Sequence, residues 1–251
     1  MITCNCLWGS PSAKLAASSD EVHVWRASLD PPESEVQRLA QTLSADELLR
    51  SKHFYFERDR KRFMVSRGIL RTILGSYLGI EPSRLRFGYG SYGKPVLAEP
   101  ASEGTLRFNV SHSQGLALYA IAPNREVGCD LERLRPISDA EQIAERFFSP
   151  RENAVLRTLP SHLRHEAFFT CWVRKEAYIK ARGEGLAFPL DQFDVSLAPG
   201  EPAMLLHVRG YPQEVSRWVL RELTVGSDYV AALAAEGHDW QLKCWQWSGE
   251  W

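Results

Sequence analysis

Four ionisable side chains in two short segments have the types and spacing to bind a metal ion and a phosphate. Asp130 and Glu132 lie two residues apart, and Glu176 and Lys180 lie four residues apart in a segment that begins at Trp172. Residues i and i+2 of a strand project to one face, and residues i and i+4 of a helix share a face. The two segments together therefore predict a site where three carboxylates and a lysine meet.

Two adjacent carboxylates repel each other unless a cation or a proton lies between them. Hard oxygen ligands of this kind suit Mg²⁺, which proteins bind through a few carboxylates together with substrate phosphates and water. The alternative for Asp130 and Glu132 is a solvated strand face. The preceding residues 127–129 (Val-Gly-Cys) are apolar, which predicts a buried strand and favours the metal site.

A surface salt bridge is the alternative for Glu176 and Lys180, since Glu before Lys at this spacing stabilises a helix by about 0.2–0.5 kcal/mol. The functional interpretation requires Glu176 to bind a metal or accept a proton and Lys180 to contact a phosphate. The spacing alone leaves both interpretations open.

Other polar residues could bind an anion. Ser111 and His112 are predicted in a turn between two strands, where the histidine could donate to a phosphate or act as a base. No G-x-S-x-G motif surrounds Ser111, which disfavours hydrolase chemistry. Lys94 is either an exposed hairpin residue or an anion contact. Arg50 and Arg62 lie either on solvated helix faces or in a cradle for a multiply charged anion.

The composition is that of an ordinary globular protein of 251 residues, enough for one large domain or two small ones. Its 30 basic and 31 acidic residues give a net charge of −1, so no overall field predicts binding to nucleic acid or to an anionic membrane. No apolar run approaches the roughly 20 residues of a membrane span. Five cysteines without a CxxC pair predict free thiols and a cytoplasmic location.

The elements that must position these residues fall into two halves. Residues 1–20 are a lead-in without a secretory pattern, residues 21–122 form the first half, and a polar turn at 123–126 begins the second half, 123–251. The first half has a strand at 22–25, helices at 33–43 and from Ser44, and a long helix at 59–78. A Gly/Tyr-rich turn at 88–95 precedes strands at 106–110 and 116–122, joined by a turn at 111–115.

The second half begins with a strand at 127–132. Short helices follow at 138–147 and 150–159, then a long helix at 163–182 that Gly183 ends. Five strands are predicted at 193–197, 204–208, 218–225, 229–234 and 240–247. Each half thus has one long helix and several mainly antiparallel strands, which is an α+β fold rather than alternating βαβ.

Five motifs in this order resemble the 4′-phosphopantetheinyl transferases, in particular the larger, surfactin-synthetase-activating (Sfp) type. They lie between about residues 48 and 194, most of the chain. The motifs are Tyr92-Gly93-Lys94-Pro95, Phe108-Asn109-Val110-Ser111-His112-Ser113, Val127-Gly128-Cys129-Asp130-Leu131-Glu132, Arg146-Phe147-Phe148-Ser149 and Trp172-Val173-Arg174-Lys175-Glu176-Ala177-Tyr178-Ile179-Lys180.

The resemblance implies a monomer of two similar α+β halves related by a pseudo-twofold axis, with coenzyme A in the cleft between them. It implies transfer of the phosphopantetheine arm from coenzyme A to a serine of an apo acyl or peptidyl carrier protein, with 3′,5′-ADP as the other product. Carrier proteins are typically acidic near that serine, so residues 147–157, with Phe148, Arg151 and Arg157, are a candidate docking surface.

The resemblance also implies roles for individual residues. Mg²⁺ is expected on Asp130, Glu132 and Glu176, and Glu176 is also expected to accept the serine proton, directly or through water. A metal lowers the pKa of a bound carboxylate, so the ligand role is the firmer one. The other expected catalytic residues are Asp130, His112 and Lys180, and Lys180 is expected to stabilise the phosphate in flight.

The remaining implied roles concern coenzyme A. Its phosphates are expected to contact Ser111 and His112, and its 3′-phosphate and adenine end to contact Arg50, Arg62 and Lys94. The further residues assigned to this cofactor are Asp130, Lys175 and Lys180, and Trp172 is expected to support the site. Glu47 stands where the family often has a second basic residue.

Two other functions explain part of the pattern. A metal-dependent phosphoesterase acting on a nucleotide-like substrate would use the same carboxylates and basic residues, but it does not explain the order of the motifs. A non-catalytic module that binds carrier domains needs neither metal nor coenzyme A, and the intact set of Asp130, Glu132, Glu176 and Lys180 argues against it.

Overall fold

The computed structural model describes residues 7–11, 15–98 and 106–249. The helices are α1 (Glu33–Ala40), α2 (Ala45–Ser51), α3 (Glu57–Leu78), α4 (Ala140–Phe147), α5 (Pro150–Thr158), α6 (Ser161–Arg182) and α7 (Glu214–Arg217). The strands are β1 (Glu21–Ser28), β2 (Phe87–Tyr89), β3 (Pro95–Leu97), β4 (Leu106–Ser113), β5 (Leu116–Pro123), β6 (Val127–Arg133), β7 (Phe193–Val195), β8 (Leu205–Val208), β9 (Trp218–Glu222), β10 (Tyr229–Glu236) and β11 (Gln241–Gln246).

Two sheets form the centre of the molecule. The strand order is β11-β1-β5-β4 in the first sheet and β6-β10-β9 in the second, and β2-β3 and β7-β8 form two small hairpins. Among the described strands, β1 and β11 pair in parallel and all other paired strands are antiparallel. The predicted α+β fold with mainly antiparallel sheets is confirmed.

The apolar side chains divide into three buried clusters that define four layers. One cluster lies between α3 and the first sheet and includes Ile69 and Tyr119. A second lies between the two sheets and includes Val24 and Leu233. The third lies between the second sheet and α6, with α4 and α5 at its side, and includes Phe168. Because each sheet is covered on both faces, the central strands β5 and β10 are long runs of buried residues.

The two long helices end in the same way. α3 and α6 each have 22 residues and are followed by Gly79 (φ 64°) and Gly183 (φ 77°), both in the left-handed conformation that glycine adopts without steric cost. The predicted end of the second long helix at Gly183 is therefore confirmed. The structure also contains α7, which the sequence did not predict.

The connection between β4 and β5 differs from the sequence prediction. Residues 111–115 were predicted as a turn, but β4 continues to Ser113 and only Gln114 and Gly115 form the turn, with φ angles of 46° and 89°. Positive φ at both central residues is typical of a two-residue type I′ hairpin loop, which needs no further residues. Ser111, His112 and Ser113 consequently lie on a strand, where Ser111 and Ser113 share a face.

Gly128 allows α6 to lie directly on β6. A Cβ at this position would collide with the backbone of Ala177 and Ala181, so a residue with a side chain would hold the helix further from the strand.

Two further observations concern the whole chain. β11, which lies late in the sequence, belongs to the first sheet. The predicted division of the chain near residue 123 stays a prediction. No helix in the described ranges is long and apolar enough to cross a membrane.

Candidate active site

Asp130 is the centre of the candidate site. Its carboxylate is buried, and its Oδ1 accepts hydrogen bonds from Ser111 Oγ at 2.7 Å and from Lys180 Nζ at 2.6 Å. Its Oδ2 is also buried and has no hydrogen-bond partner among the described residues. A buried oxygen without a partner is costly, which indicates that this oxygen faces a ligand position.

Lys180 forms its ion pair with Asp130 and not with Glu176. Its Nζ lies 2.6 Å from Asp130 Oδ1 and 3.2 Å from Ser111 Oγ, and no ion pair with Glu176 is formed in the described part of the chain. Burial opposes the charge on Lys180, but the Asp130 carboxylate outweighs it and raises the pKa of the lysine. The i, i+4 surface salt bridge that the sequence left open is thus replaced by a contact between α6 and β6.

Glu132 and Glu176 complete the set of carboxylates. Burial raises the pKa of Glu132, and the charge of Asp130 adds to this, although a hydrogen bond from Ser113 acts in the opposite direction. Burial also raises the pKa of Glu176, and Asp130 and Glu132 raise it further against the effect of Lys180. These charge effects indicate that the three carboxylates lie near one another, and the burial of Asp130 disfavours the solvated-strand alternative.

The oxygen ligands of Asp130, Glu132 and Glu176 are of the chemical type that a hard divalent cation prefers. All three groups are carboxylates, and Asp130 Oδ2 has no other partner. No group of three or more His, Cys, Asp or Glu side chains in the described ranges is already arranged as metal ligands. Asp130, Glu132 and Glu176 are the residues that would hold such a cation.

His112 lies close enough to Asp130, Lys180 and Arg62 for their charges to affect its pKa. The surrounding protein limits hydration of the His112 ring and lowers its pKa, and Lys180 lowers it further, so the imidazole is neutral at neutral pH. Arg62 on α3 also contributes to lowering the pKa of His112. Its guanidinium forms a two-point ion pair with Asp30, with distances of 2.8 and 2.7 Å.

Lys94 lies between the two halves. Its Nζ contacts Glu126 Oε2 at 3.1 Å and the backbone oxygens of Val127 and Ala181 at 3.2 and 3.3 Å. Burial lowers the pKa of this lysine, although Glu126 favours its charged form. A cavity of about 210 Å³ lies beside it and is lined in part by Arg107. Lys94 thus links the β2–β3 hairpin to the end of α6 and to β6.

Arg50 lies near the end of α2, with its guanidinium 5.6 Å from the centre of the Phe63 ring. Glu47 is buried and pairs with Arg67 at 2.5 Å and with Arg71 at 2.6 Å. The acid at this position therefore anchors α2 to α3, which explains why a second basic residue is absent there.

Lys175 lies outside the candidate site. Its buried position contradicts the expected contact with coenzyme A. The side chain is completely buried, 2.8 Å from Glu152 Oε2, and it donates to the backbone oxygens of Leu190 and Phe193 at 2.7 Å each. Glu152 also accepts from the backbone N–H of Ser149 in a capping box that begins α5. Lys175 therefore ties α6 to α5 and β7.

The expected docking surface changes in one residue. Phe148 is 2% exposed and belongs to the core of the second half, so it cannot contact a partner. Arg151 and Arg157 remain on the surface, and Arg157 pairs with Glu145 at 2.9 Å. Trp172 is half-buried and packs on the rings of Phe147 and Phe168.

Two residues of the site were missed in the sequence. Ser113 donates a hydrogen bond to Glu132 at 2.8 Å, and Gly128 permits the contact between α6 and β6. The Gln114-Gly115 pair was the signal for a short hairpin loop, and it would have placed Ser113 on the strand.

Comparisons with known proteins cover most of the chain. The family described as the 4′-phosphopantetheinyl transferase superfamily matches residues 126–234, and the family described as 4′-phosphopantetheinyl transferase, N-terminal, matches residues 27–124. The 4′-phosphopantetheinyl transferase HetI of Nostoc sp. is 49% identical over 240 residues, which are 96% of this chain and 98% of the relative.

Two further comparisons show lower sequence identity. The 4′-phosphopantetheinyl transferase Sfp of Bacillus subtilis is 30% identical over 165 residues, covering 66% of this chain and 71% of that protein. A solved holo-(acyl-carrier-protein) synthase from Bacillus anthracis in complex with coenzyme A has a TM-score of 0.35 and 19% identity, covering 45% of this chain and 96% of that one.

Proposed function

We infer that this chain, which belongs to the 4′-phosphopantetheinyl transferase superfamily, transfers the phosphopantetheine arm of coenzyme A to a serine of an apo carrier protein. In this reaction the serine oxygen bonds to the phosphorus that carries pantetheine. The bridging P–O bond of the pyrophosphate breaks, and 3′,5′-ADP leaves. The products are the holo carrier and the nucleotide.

We propose Asp130, Glu132 and Glu176 as ligands of Mg²⁺. The single observation that carries this proposal is the buried Asp130 Oδ2, which has no partner among the described residues. When bound, Mg²⁺ offsets the negative charge of the pyrophosphate, the main electrostatic requirement of a phosphoryl-type transfer.

The protein residues supply positioning, charge and a proton acceptor. Lys180 is held at Asp130 by their ion pair and is proposed to contact the phosphate that moves. Glu176, whose pKa burial raises, is proposed to accept the serine proton directly or through water. His112 is neutral at neutral pH and would contact a phosphate as a hydrogen-bond donor and not as a cation.

The other proposed contacts concern the nucleotide. Ser111 is proposed to contact the phosphates. Arg50, Arg62 and Lys94 are proposed to bind the 3′-phosphate and adenine end in the cleft between the halves, where Arg62 would exchange its ion pair with Asp30 for the ligand. Lys175 is left out because its three donor positions are occupied by protein acceptors.

Three broader properties are also part of the proposal. Activity as a monomer agrees with a site built from both halves of one chain. A cytoplasmic location agrees with the buried, free thiols of Cys129 and Cys171. No nucleic acid or membrane is proposed as a partner, and Arg151 and Arg157 are proposed to face an acidic carrier.

The test is an intact-mass measurement of an apo carrier protein incubated with the enzyme, coenzyme A and Mg²⁺. We expect a mass gain of one phosphopantetheine, lost with EDTA and in the folded Glu176→Gln variant. Glu166→Gln, the same change at an exposed position of the same helix, is the matched control and should retain activity.

Each alternative function has its own outcome in this test. Release of free phosphopantetheine without any carrier would indicate a phosphoesterase. Carrier binding without mass gain, unchanged by Mg²⁺ and coenzyme A, would indicate a binding module. A fully active Asp130→Ala or Glu176→Gln variant would refute the metal site.

A further inference from the structure

The two central sheets pack on each other, and on one side their edge strands β4 and β6 lie next to each other without forming a common sheet. β4 is the edge strand of the first sheet and β6 the edge strand of the second, and they belong to different ladders. The short polar side chains of Asn109, Ser111 and Ser113 connect them. These residues alternate along β4 and so point to the same side, towards β6. We refer to these three residues and their β6 partners as the β4–β6 seam.

Each residue of the seam bonds a different part of β6. Asn109 Oδ1 accepts a hydrogen bond from the backbone N–H of Cys129 at 2.9 Å. Ser111 Oγ donates to Asp130 Oδ1 at 2.7 Å, as described above. Ser113 Oγ donates to Glu132 Oε2 at 2.8 Å. The two serines of the first half therefore hold the two carboxylates of the second half.

The direction of the Ser113 hydroxyl is determined by a second contact. Its oxygen accepts a hydrogen bond from the backbone N–H of Arg133 at 3.2 Å. A hydroxyl has one proton, and because the Arg133 N–H occupies the acceptor side, the proton points to the Glu132 carboxylate. Ser113 thus contacts Glu132 as a donor, and the backbone of β6 itself fixes this orientation.

This contact leaves one oxygen of Glu132 free for another partner. Oε2 is held by Ser113, and Oε1 forms no hydrogen bond with any residue of the described ranges. The same pattern occurs at Asp130, where Oδ1 is held by Ser111 and Lys180 and Oδ2 has no partner. In both carboxylates one oxygen is bonded by a serine of β4, with Lys180 of α6 as a second donor at Asp130, and the other oxygen has no protein partner in the described ranges.

We propose that Ser113 is a positioning residue, which fixes Glu132 so that its free oxygen faces the same divalent cation as Asp130. This proposal rests on the Mg²⁺ site of the proposed function. Without Ser113, the Glu132 side chain would have to lose its rotational freedom when the cation binds, and cation affinity would fall. Groups that orient metal ligands in this way typically contribute about 10- to 100-fold in affinity.

The experiment measures Mn²⁺ binding to the full chain without substrates, from the free Mn²⁺ signal in electron paramagnetic resonance. We expect Ser113→Ala to weaken Mn²⁺ binding by about 10- to 100-fold and Ser113→Thr, which keeps the hydroxyl, to restore most of the affinity. Ser76→Ala is the matched control, because Ser76 lies on the exposed face of α3 and bonds only its own helix. Thermal melting checks that each variant is folded.

A second comparison separates a positioning role from a structural one. In a Glu132→Ala background Ser113 has no carboxylate to orient, so adding Ser113→Ala should not change Mn²⁺ affinity further. Equal Mn²⁺ affinity of Ser113→Ala and the unaltered protein would overturn the proposal, and so would an equal loss in the Glu132→Ala background. Absence of Mn²⁺ binding by the unaltered protein would instead refute the metal site of the proposed function.

Discussion

Replacing Gly128 with alanine is expected to push α6 away from β6 and to separate Lys180 from Asp130. Gly128 lies on β6, two residues before Asp130, and a Cβ there would collide with backbone atoms of Ala177 and Ala181. Both contact residues belong to the same two turns of α6 as Lys180. Backbone atoms cannot rotate out of the way as a side chain can, so the helix must move as a body.

The size of the effect follows from the contact. The helix must retreat by about 1 Å to restore ordinary van der Waals distances, which would stretch the present 2.6 Å Asp130–Lys180 contact beyond hydrogen-bonding range. A displacement of about 1 Å at reacting groups can cost about 100-fold in rate. Overpacking costs about 1–3 kcal/mol of stability, partly offset by the roughly 0.4–1 kcal/mol that alanine gains over glycine in the unfolded chain.

The assay compares Gly128→Ala with Gly88→Ala, a strand glycine of β2 where a Cβ would lie 3.6 Å from the Val96 side chain, an ordinary contact. The rate of phosphopantetheine transfer to an apo carrier and the melting temperature are measured for both. We expect about a 100-fold slower rate and a lower melting temperature for Gly128→Ala, with little change for Gly88→Ala. Unaltered transfer and melting in Gly128→Ala would refute the close approach of α6 to β6.

Two further predictions concern charged residues. Glu176 has a folded-state pKa above its ordinary value of 4.5, so its contribution to stability is complete below about pH 4.5 and is lost as the pH rises through the raised pKa. Metal-free Glu176→Gln should therefore melt higher than the unaltered protein at pH 7, with a difference that shrinks towards pH 4.5; a lower melting temperature at pH 7 would contradict this. Glu152→Gln leaves Lys175 buried without a counter-charge and should lower the free energy of unfolding in urea by about 3–5 kcal/mol. Glu145→Gln, which removes an exposed partner of Arg157, should lower it by about 0–1 kcal/mol. Equal losses in the two variants would contradict the buried pair.

Local patterns were sufficient to predict most of the elements. Gly183 marked the end of α6, the alternation of apolar residues located β1, and the apolar residues at 127–129 located β6. The i, i+2 spacing also predicted correctly that Asp130 and Glu132 share a face. These features depend on residues that are close together in the chain, so one sequence is enough to predict them.

The contacts that decide between alternatives join residues far apart in the chain. Lys180 pairs with Asp130, 50 residues away, and not with Glu176 on its own helix. The family resemblance implied that Lys175 contacts the cofactor, but adjacent residues on a helix point in different directions, and its partner Glu152 lies on α5. The position of Ser113 depended on the length of a turn, which the sequence analysis took as five residues and not two.

The parallel pairing of β1 with β11 has a consequence for folding during synthesis. β1 leaves the ribosome before the other described strands, but its partner β11 begins only at Gln241, after all of them. Val24 pairs with Cys244 in this ladder, so one edge of the first sheet stays open while the second half is translated. Contacts of such sequence separation are slow to form. The nascent chain must therefore keep that edge from pairing with other chains until β11 has been synthesised. The β4–β6 seam lies on the opposite edge of the first sheet and can assemble before β11 is present.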